Sequence, residues 1–375
     1  MNKNDYNTAE QIKTKRLLDF YKNYEKEVAP YIEEYEKERI KYIIKFSIFV
    51  MFITALLWLF ITHLYSILDR IMTTIIALIF LRILYHNSIN LLYKRAIKQQ
   101  LMSKTIHSIG EINWSLYKQI ISDETISKSK LFGSYNTRTN DDEFEGKYNG
   151  LNFKISESKL SEITETKDGY SEAIVFKGII ILIDTNKKTT AHTIIETKTE
   201  SNKRIRNKII MLIMLLLLPI GAIIDDATTT QDIFNNPKLF MVKMTVSLAF
   251  VIPAIIAELV EKKQQMLSMN LEDPEFNKKF NVITDDQVEG RYLITPAFMD
   301  RFKNLQTAFK TKNIECAFFD DKIMFALHTN KDFFELSGGL FHSLKDPKQI
   351  KSFYNEITAI YDIIDYFKLS EKTGL

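Results

Sequence analysis

The chain has 375 residues, 46% of them hydrophobic and 12% aromatic, and its formal net charge is +3. That length calls for two or more structural units, and so small a net charge points to no partner by itself. The lone cysteine, Cys316, excludes an intramolecular disulfide and fits a reducing compartment.

The N-terminal segment, residues 1–42, carries Leu17, Tyr21, Tyr24, Val28, Tyr31 and Tyr35 in alternating steps of four and three. That spacing puts them on one face of an amphipathic helix, with Pro30 expected to kink or restart it. Such a face can pack on the protein's own soluble domain or on a second copy of the chain.

Residues 43–92 read as a first transmembrane hairpin. Phe46 to Leu68 contains no Asp, Glu, Lys or Arg over 23 residues. A helix of that length spans roughly 34 Å, enough to cross a hydrocarbon core about 30 Å thick. Fourteen of these residues are Leu, Ile, Phe or Val, which favours insertion by about 4–8 kcal/mol before polar offsets. The stretch lies too far from Met1 for a cleaved signal peptide. A return span follows from about Ile71 to Leu92, interrupted by Arg82, which is expected to snorkel to an interface.

From residue 93 to 207 the pattern turns to strands. "FEGKYNGLNFKIS" reads as two short strands around Asn149-Gly150, a strong hairpin signal. "EAIVFKGIIILID" is a longer strand, and "TAHTIIET" follows after a turn. A second hairpin is expected over 208–258: Ile209 to Ile224 is uncharged, and Leu239 to Ala257 is apolar except for Lys243. Pro219, Gly221 and Pro253 are tolerated in membrane helices.

The last segment, 259–375, resumes the soluble pattern. Gln287 to Ile294 alternates as a strand, with Glu289 and Arg291 on one face. Thr295 caps a helix with Pro296 at its first position. "NIECAFF" and "KIMFALH" form a hairpin about Asp320-Asp321. Asp346-Pro347 opens a final helix with Ile350, Phe353, Ile357, Ile360, Ile364 and Phe367 on one face. The fold class expected is therefore α+β: four transmembrane helices in two hairpins, and a largely antiparallel sheet domain with flanking helices.

Charge sets the orientation. Lys37, Arg39, Lys41 and Lys45 precede the first span, and Lys94, Arg95, Lys98 and Lys104 follow the second. Lys198, Lys203, Arg204, Arg206 and Lys208 precede the third, and Lys262 and Lys263 follow the fourth. All four basic flanks fall on one side, which the positive-inside rule makes cytoplasmic. Both termini are then cytoplasmic, and the expected location is a bacterial inner membrane. The flanks could also bind anionic lipid headgroups.

The order of "SKSKLF", "DDEFEGKYNGLNFKISESKLSE", "IVFKGIIILID", "LEDPEFNKKFNVITDDQVEGRYLITPAFMD" and "CAFFDDKIMFAL" resembles the bacterial domain-of-unknown-function family 3137. The resemblance covers roughly Ile43 to Leu340, and "LEDPEFNKKF…DDQVEGRYLITPAFM" is its most specific part. It implies an early membrane hairpin followed by a cytoplasmic α+β domain, and it brings no catalytic residues with it. The second hairpin would be an insertion into that domain, whose two halves would fold together.

The sequence offers few chemical groups. Asp285, Asp286, Glu289 and Arg291 form an acidic cluster that could touch a ligand. It lacks a nucleophile with an adjacent base, and Arg291 would keep the carboxylates ionised. A turn into a strand explains Asp285-Asp286 as well. The six histidines show no zinc spacing, Cys316 sits in an apolar strand as a core residue, and no Walker A or G-x-G-x-x-G run is present. No catalytic residue, metal, cofactor or nucleic-acid partner is expected; the expected partners are the bilayer and a protein or second copy. The leading expectation is a membrane protein with a binding, scaffolding or signalling domain. One alternative is a transport or channel component using Arg82 and Lys243. Another is a lipid-acting enzyme using the cluster at Asp285.

Overall fold

The computed structural model describes residues 3–62, 66–84, 91–167, 169–185, 188–199, 266–331, 333–336 and 340–372. The expected second hairpin, with Lys243, lies outside them. In chain order the elements are α1 (Lys3–Glu27), α2 (Ala29–Thr62), α3 (Ile67–Leu84), α4 (Leu91–His107), β1 (Ile112–Leu116), α5 (Asp123–Lys128), β2 (Thr137–Tyr148), β3 (Leu151–Thr166), β4 (Gly169–Asp184) and β5 (Thr193–Thr197). Then come β6 (Leu267–Met269), α6 (Pro274–Lys279), β7 (Phe280–Thr284), α7 (Gln287–Leu293), α8 (Pro296–Ala308), β8 (Asn313–Phe319), β9 (Lys322–His328) and α9 (Pro347–Lys372).

Among the described residues nine strands build one sheet, in the order β1-β2-β3-β4-β9-β8-β5-β7-β6, every pair antiparallel. Strands from before and after residues 198–266 alternate in it. β4 pairs with β9, and β5 sits between β8 and β7. The fold is α+β with a large antiparallel sheet.

Local chemistry places the turns. Asn149 and Gly150 take φ of 49° and 85° between β2 and β3, and Asp320 and Asp321 take 45° and 57° between β8 and β9. Two successive positive φ values match the right-handed twist of a two-residue hairpin, and Asn, Asp and Gly tolerate them best. The strands around Asn149 are 12 and 16 residues long, which corrects the expectation of two short ones. The "TRTNDD" start of β2 carries no apolar alternation, and its pairing is carried by the backbone of β3 across a bulge between Asn140 and Glu143.

The central strands are buried on both faces, which is why β4 reads as an unbroken apolar run. Ile179, Ile181 and Ile183 face a core shared with α1, α4, α8 and α9, while Ile180 and Leu182 face a smaller core closed by Ile121, Ile126 and Leu131 around α5. On α1 and α2 the buried positions are Phe20, Tyr24, Val28 and Ile32. They repeat every four residues across the break at Val28, and Pro30 stands in the first turn of α2, where its missing N–H is harmless. Phe20 packs on Tyr354 of α9, with ring centroids 4.6 Å apart. Of the expected face, Tyr24 and Val28 are buried and Leu17, Tyr21 and Tyr35 pack against the core, whereas Tyr31 is exposed and Phe20 and Ile32 complete the buried row.

Beyond Ile43 the character of α2 changes. Ile44, Ile48, Phe49, Met51, Phe52, Leu56, Trp58 and Leu59 are all exposed, and so are Ile71, Ile75, Ile76, Ile79 and Phe80 of α3. α2 is the one described helix long and apolar enough to cross a membrane, and none of its most apolar eighteen residues is buried. A soluble protein would bury such a helix in its core. α2 ends at Thr62 and α3 begins at Ile67, so the first helix stops short of the expected end of the span at Leu68.

Candidate functional site

The segment around Asp285 is a helix start and not a strand. Gln287–Leu293 is α7, and Asp286 is its N-cap, accepting from the backbone N–H of Val288 at 2.7 Å and of Glu289 at 3.3 Å. Glu289 and Arg291 therefore do not share a strand face, as the alternation suggested. On a helix, residues two apart point in different directions. The Glu289 carboxylate turns back to the strand entering β5. It accepts from the Thr190 hydroxyl at 2.7 Å and from the backbone N–H groups of Thr190 and Ala191 at 3.0 and 3.2 Å. Asp285 accepts from the His192 backbone N–H at 3.3 Å, and Arg291 lies exposed on α7. Asp285 and Glu289 tie the loop before β5 to the start of α7, while Asp286 caps the helix itself. The pattern Asp286-x-x-Glu289 is the sequence signal that could have revealed this helix.

Sequence reasoning missed a buried ionic junction at the bulge of β2. Lys98 of α4 is 6% exposed, and its Nζ lies 2.5 Å from Asp142 Oδ2 and 2.8 Å from Glu335 Oε1. Asp142 is fully buried and also accepts from Trp114 Nε1 at 2.8 Å. Burial alone would lower the Lys98 pKa, but Asp142 and Glu335 outweigh it and hold the ammonium charged. Burial pushes the Asp142 carboxyl up to about 7, with Lys98 and Trp114 pulling against it. The neighbouring Glu143 points to the opposite face of the sheet and is also fully buried. Its Oε1 accepts from Ser156 Oγ at 2.7 Å, and burial raises it to about 7 against the pull of Ser156 and Arg138. Arg138 continues this network to Asp123 at 3.2 Å and to the carbonyl of Ile121 at 2.7 Å. The junction ties together α4, the sheet and the segment leading to α9.

A second tie holds α2. Glu36 and Arg39 form a two-point pair, with Arg39 Nη2 2.7 Å from Glu36 Oε1 and Arg39 Nε 3.0 Å from Oε2. Arg39 Nη1 donates to the Leu340 carbonyl at 2.8 Å, and Glu36 accepts from Ser343 Oγ at 2.9 Å and Leu344 N–H at 3.0 Å. Arg39 and Lys98, read above as flanking charges, thus turn into the protein, while Lys37, Lys41, Lys45 and Arg95 remain exposed. Arg82 is exposed in the last turn of α3.

A cleft of about 290 Å³ lies between α1, α8 and α9 and is lined by Lys13, Arg16, Arg301, Asn304, Asn355 and Asp362 among others. Two of its cations are committed: Lys13 lies 2.6 Å from Asp362, and Arg16 bridges Asp362 and Asp365 at 3.3 and 3.2 Å. Arg16 also lies beside the stacked rings of Tyr148 and Tyr361. The cleft is a seam between three helices. Cys316 is buried in β8, and burial raises its thiol pKa. Among the described residues no group of three or more His, Cys, Asp or Glu side chains could hold a metal.

Sheet, helices and ionic ties together define a class: an α+β protein with one wide antiparallel sheet and a helix long and apolar enough to cross a bilayer. The family model described as "Protein of unknown function (DUF3137)" matches residues 174–369, more than half of the chain, and the chain belongs to that family. The match starts within β4 and continues into α9, so it begins later and ends later than the expected Ile43 to Leu340. No curated protein and no solved structure matches the chain.

Proposed function

We propose that the protein is a multi-pass protein of a bacterial inner membrane, with both termini and the α+β domain in the cytoplasm. Its domain binds or scaffolds a partner and transmits or recruits without catalysing a reaction. The single observation that carries this reading is the division of α2. One uninterrupted helix has its first half fixed to the domain through Ile32, Glu36 and Arg39, and its second half sheathed in exposed apolar side chains. Such a helix couples membrane and domain as one body. The four-span topology rests on the apolar runs at 209–224 and 239–257 and on their basic flanks. The carboxylates at Asp285, Asp286 and Glu289 are engaged with backbone groups, which lends the lipid-enzyme alternative no support.

Two experiments test the proposal. Single cysteines placed at Glu165, Lys331 and Thr230 are offered to a membrane-impermeant thiol reagent in intact cells; the native Cys316 is buried and stays silent. Labelling at 230 alone is expected, and labelling at 165 or 331 would reverse the orientation. The detergent-solubilised protein is then captured from its host by affinity. Recovery of lipid with neither a stoichiometric protein nor a second copy would remove the recruiting role.

A further inference from the structure

We propose that residues 340–344 form a second, shallow contact with the same membrane that α2 enters, with Phe341 seated at the boundary between headgroups and acyl chains. The inference rests on the membrane reading of α2 and deepens it. The tie from Arg39 to the Leu340 carbonyl, and from Glu36 to Ser343 and Leu344, holds this segment against α2. From Arg39 to Phe46 is seven residues, about 10 Å further along the helix. Phe341 reaches that level, its ring centroid lying 6.2 Å from that of Phe46. Phe46 is the first residue of the uncharged run, directly after Lys45.

Phe341 is nevertheless 54% exposed, an unfavourable setting for a phenyl ring in water. Its neighbours at this height have the composition of a membrane interface. Tyr42 is 50% exposed and meets Tyr93 of α4 edge-on at 6.2 Å, and Lys45 stands over the Tyr42 ring at 6.0 Å. Amphipathic aromatics with lysines at one depth are the usual interfacial anchor. The occupant is therefore a lipid surface, because the exposed ring continues an apolar helix face already assigned to lipid.

The test uses the full chain in vesicles of phosphatidylcholine and phosphatidylglycerol. A small fluorescent label is attached to cysteine in F341C, and in H342C as a neighbouring position that leaves the phenyl ring intact. F49C on α2 and E165C at the far end of β3 serve as references. Quenching by lipids carrying a quencher high on the acyl chain is expected at 49 and several-fold stronger at 341 than at 165. Quenching at 49 with 341 and 342 as dry of lipid as 165 overturns the inference while leaving the span in place. Protection of 341 from a soluble quencher without lipid quenching assigns the contact to a second copy, and also overturns it. Absence of quenching at 49 as well would overturn both readings together.

Discussion

Lys98 illustrates how little a residue's type says about its use. In sequence it is one of several lysines flanking an apolar hairpin, yet it lies in the interior against Asp142 and Glu335. Removing one member of a buried pair leaves the other charge without compensation, at about 3–5 kcal/mol. Lys98→Met is therefore expected to lower the thermal unfolding midpoint of the detergent-solubilised protein sharply. Adding Asp142→Leu should recover part of the loss, the rest staying with Glu335 and Trp114 Nε1, which lose these partners; a double variant no more stable than the single one would contradict the pairing. Glu143 gives a pH signature. Its folded pKa is raised to about 7, so the stability it contributes is present below the ordinary carboxylate range and is lost as pH rises through 7. The amplitude is up to about 3 kcal/mol. Glu143→Gln should flatten the fall in unfolding temperature between about pH 4.5 and 7; an unchanged slope would place the titration elsewhere. "DDEF" reads as a polar run because burial of two successive acids requires a cover on each face of the sheet, and those covers come from α4 and residues 117–121, distant in sequence. Cys316 was legible, since an apolar strand surrounded it on both sides.

The elements most legible in the sequence were those with a single decisive local signal. Asn149-Gly150, Asp320-Asp321, Thr295-Pro296 and Asp346-Pro347 each mark a turn or helix start that the structure contains. Gln287–Leu293 failed because seven residues hold too few turns to separate a period of 3.6 from one of 2. Val288, Tyr292 and Ile294 fit alternation, yet only Gly290, Leu293 and Ile294 are buried. Gly178 carries a constraint that sequence alone did not show: its φ is 153°, and a Cβ there would meet the Leu327 carbonyl oxygen at 2.0 Å. Gly178→Ala should break the β4–β9 register, seen as loss of folded protein or increased aggregation, whereas Ile174→Ala on the exposed part of β4 should be nearly neutral. Glu36→Ala removes the bonds to Ser343 and Leu344, each worth about 1 kcal/mol. Amide exchange should then rise in residues 340–345 and stay unchanged in β4; no change at 344 would show that the tie does not hold the segment.

Across the whole molecule, apolar blocks and turn signals indicated an α+β domain with an antiparallel sheet, and the sheet is present. Strand order was not legible. Register and neighbour choice depend on complementary faces contributed by distant segments, and no local pattern announces that β9 will lie beside β4. The interleaving also sets a timetable for biosynthesis. Gly178 pairs with His328, about 150 residues later in the chain, and a ribosome adding roughly 5–20 residues per second needs about 7–30 s to cover that distance. Throughout that interval the Ile179–Ile183 edge stands open beside a nascent apolar segment of the same polypeptide. An unpaired apolar edge is a template for pairing between chains, so slowing synthesis between Gly178 and His328 should produce aggregates nucleated at that edge.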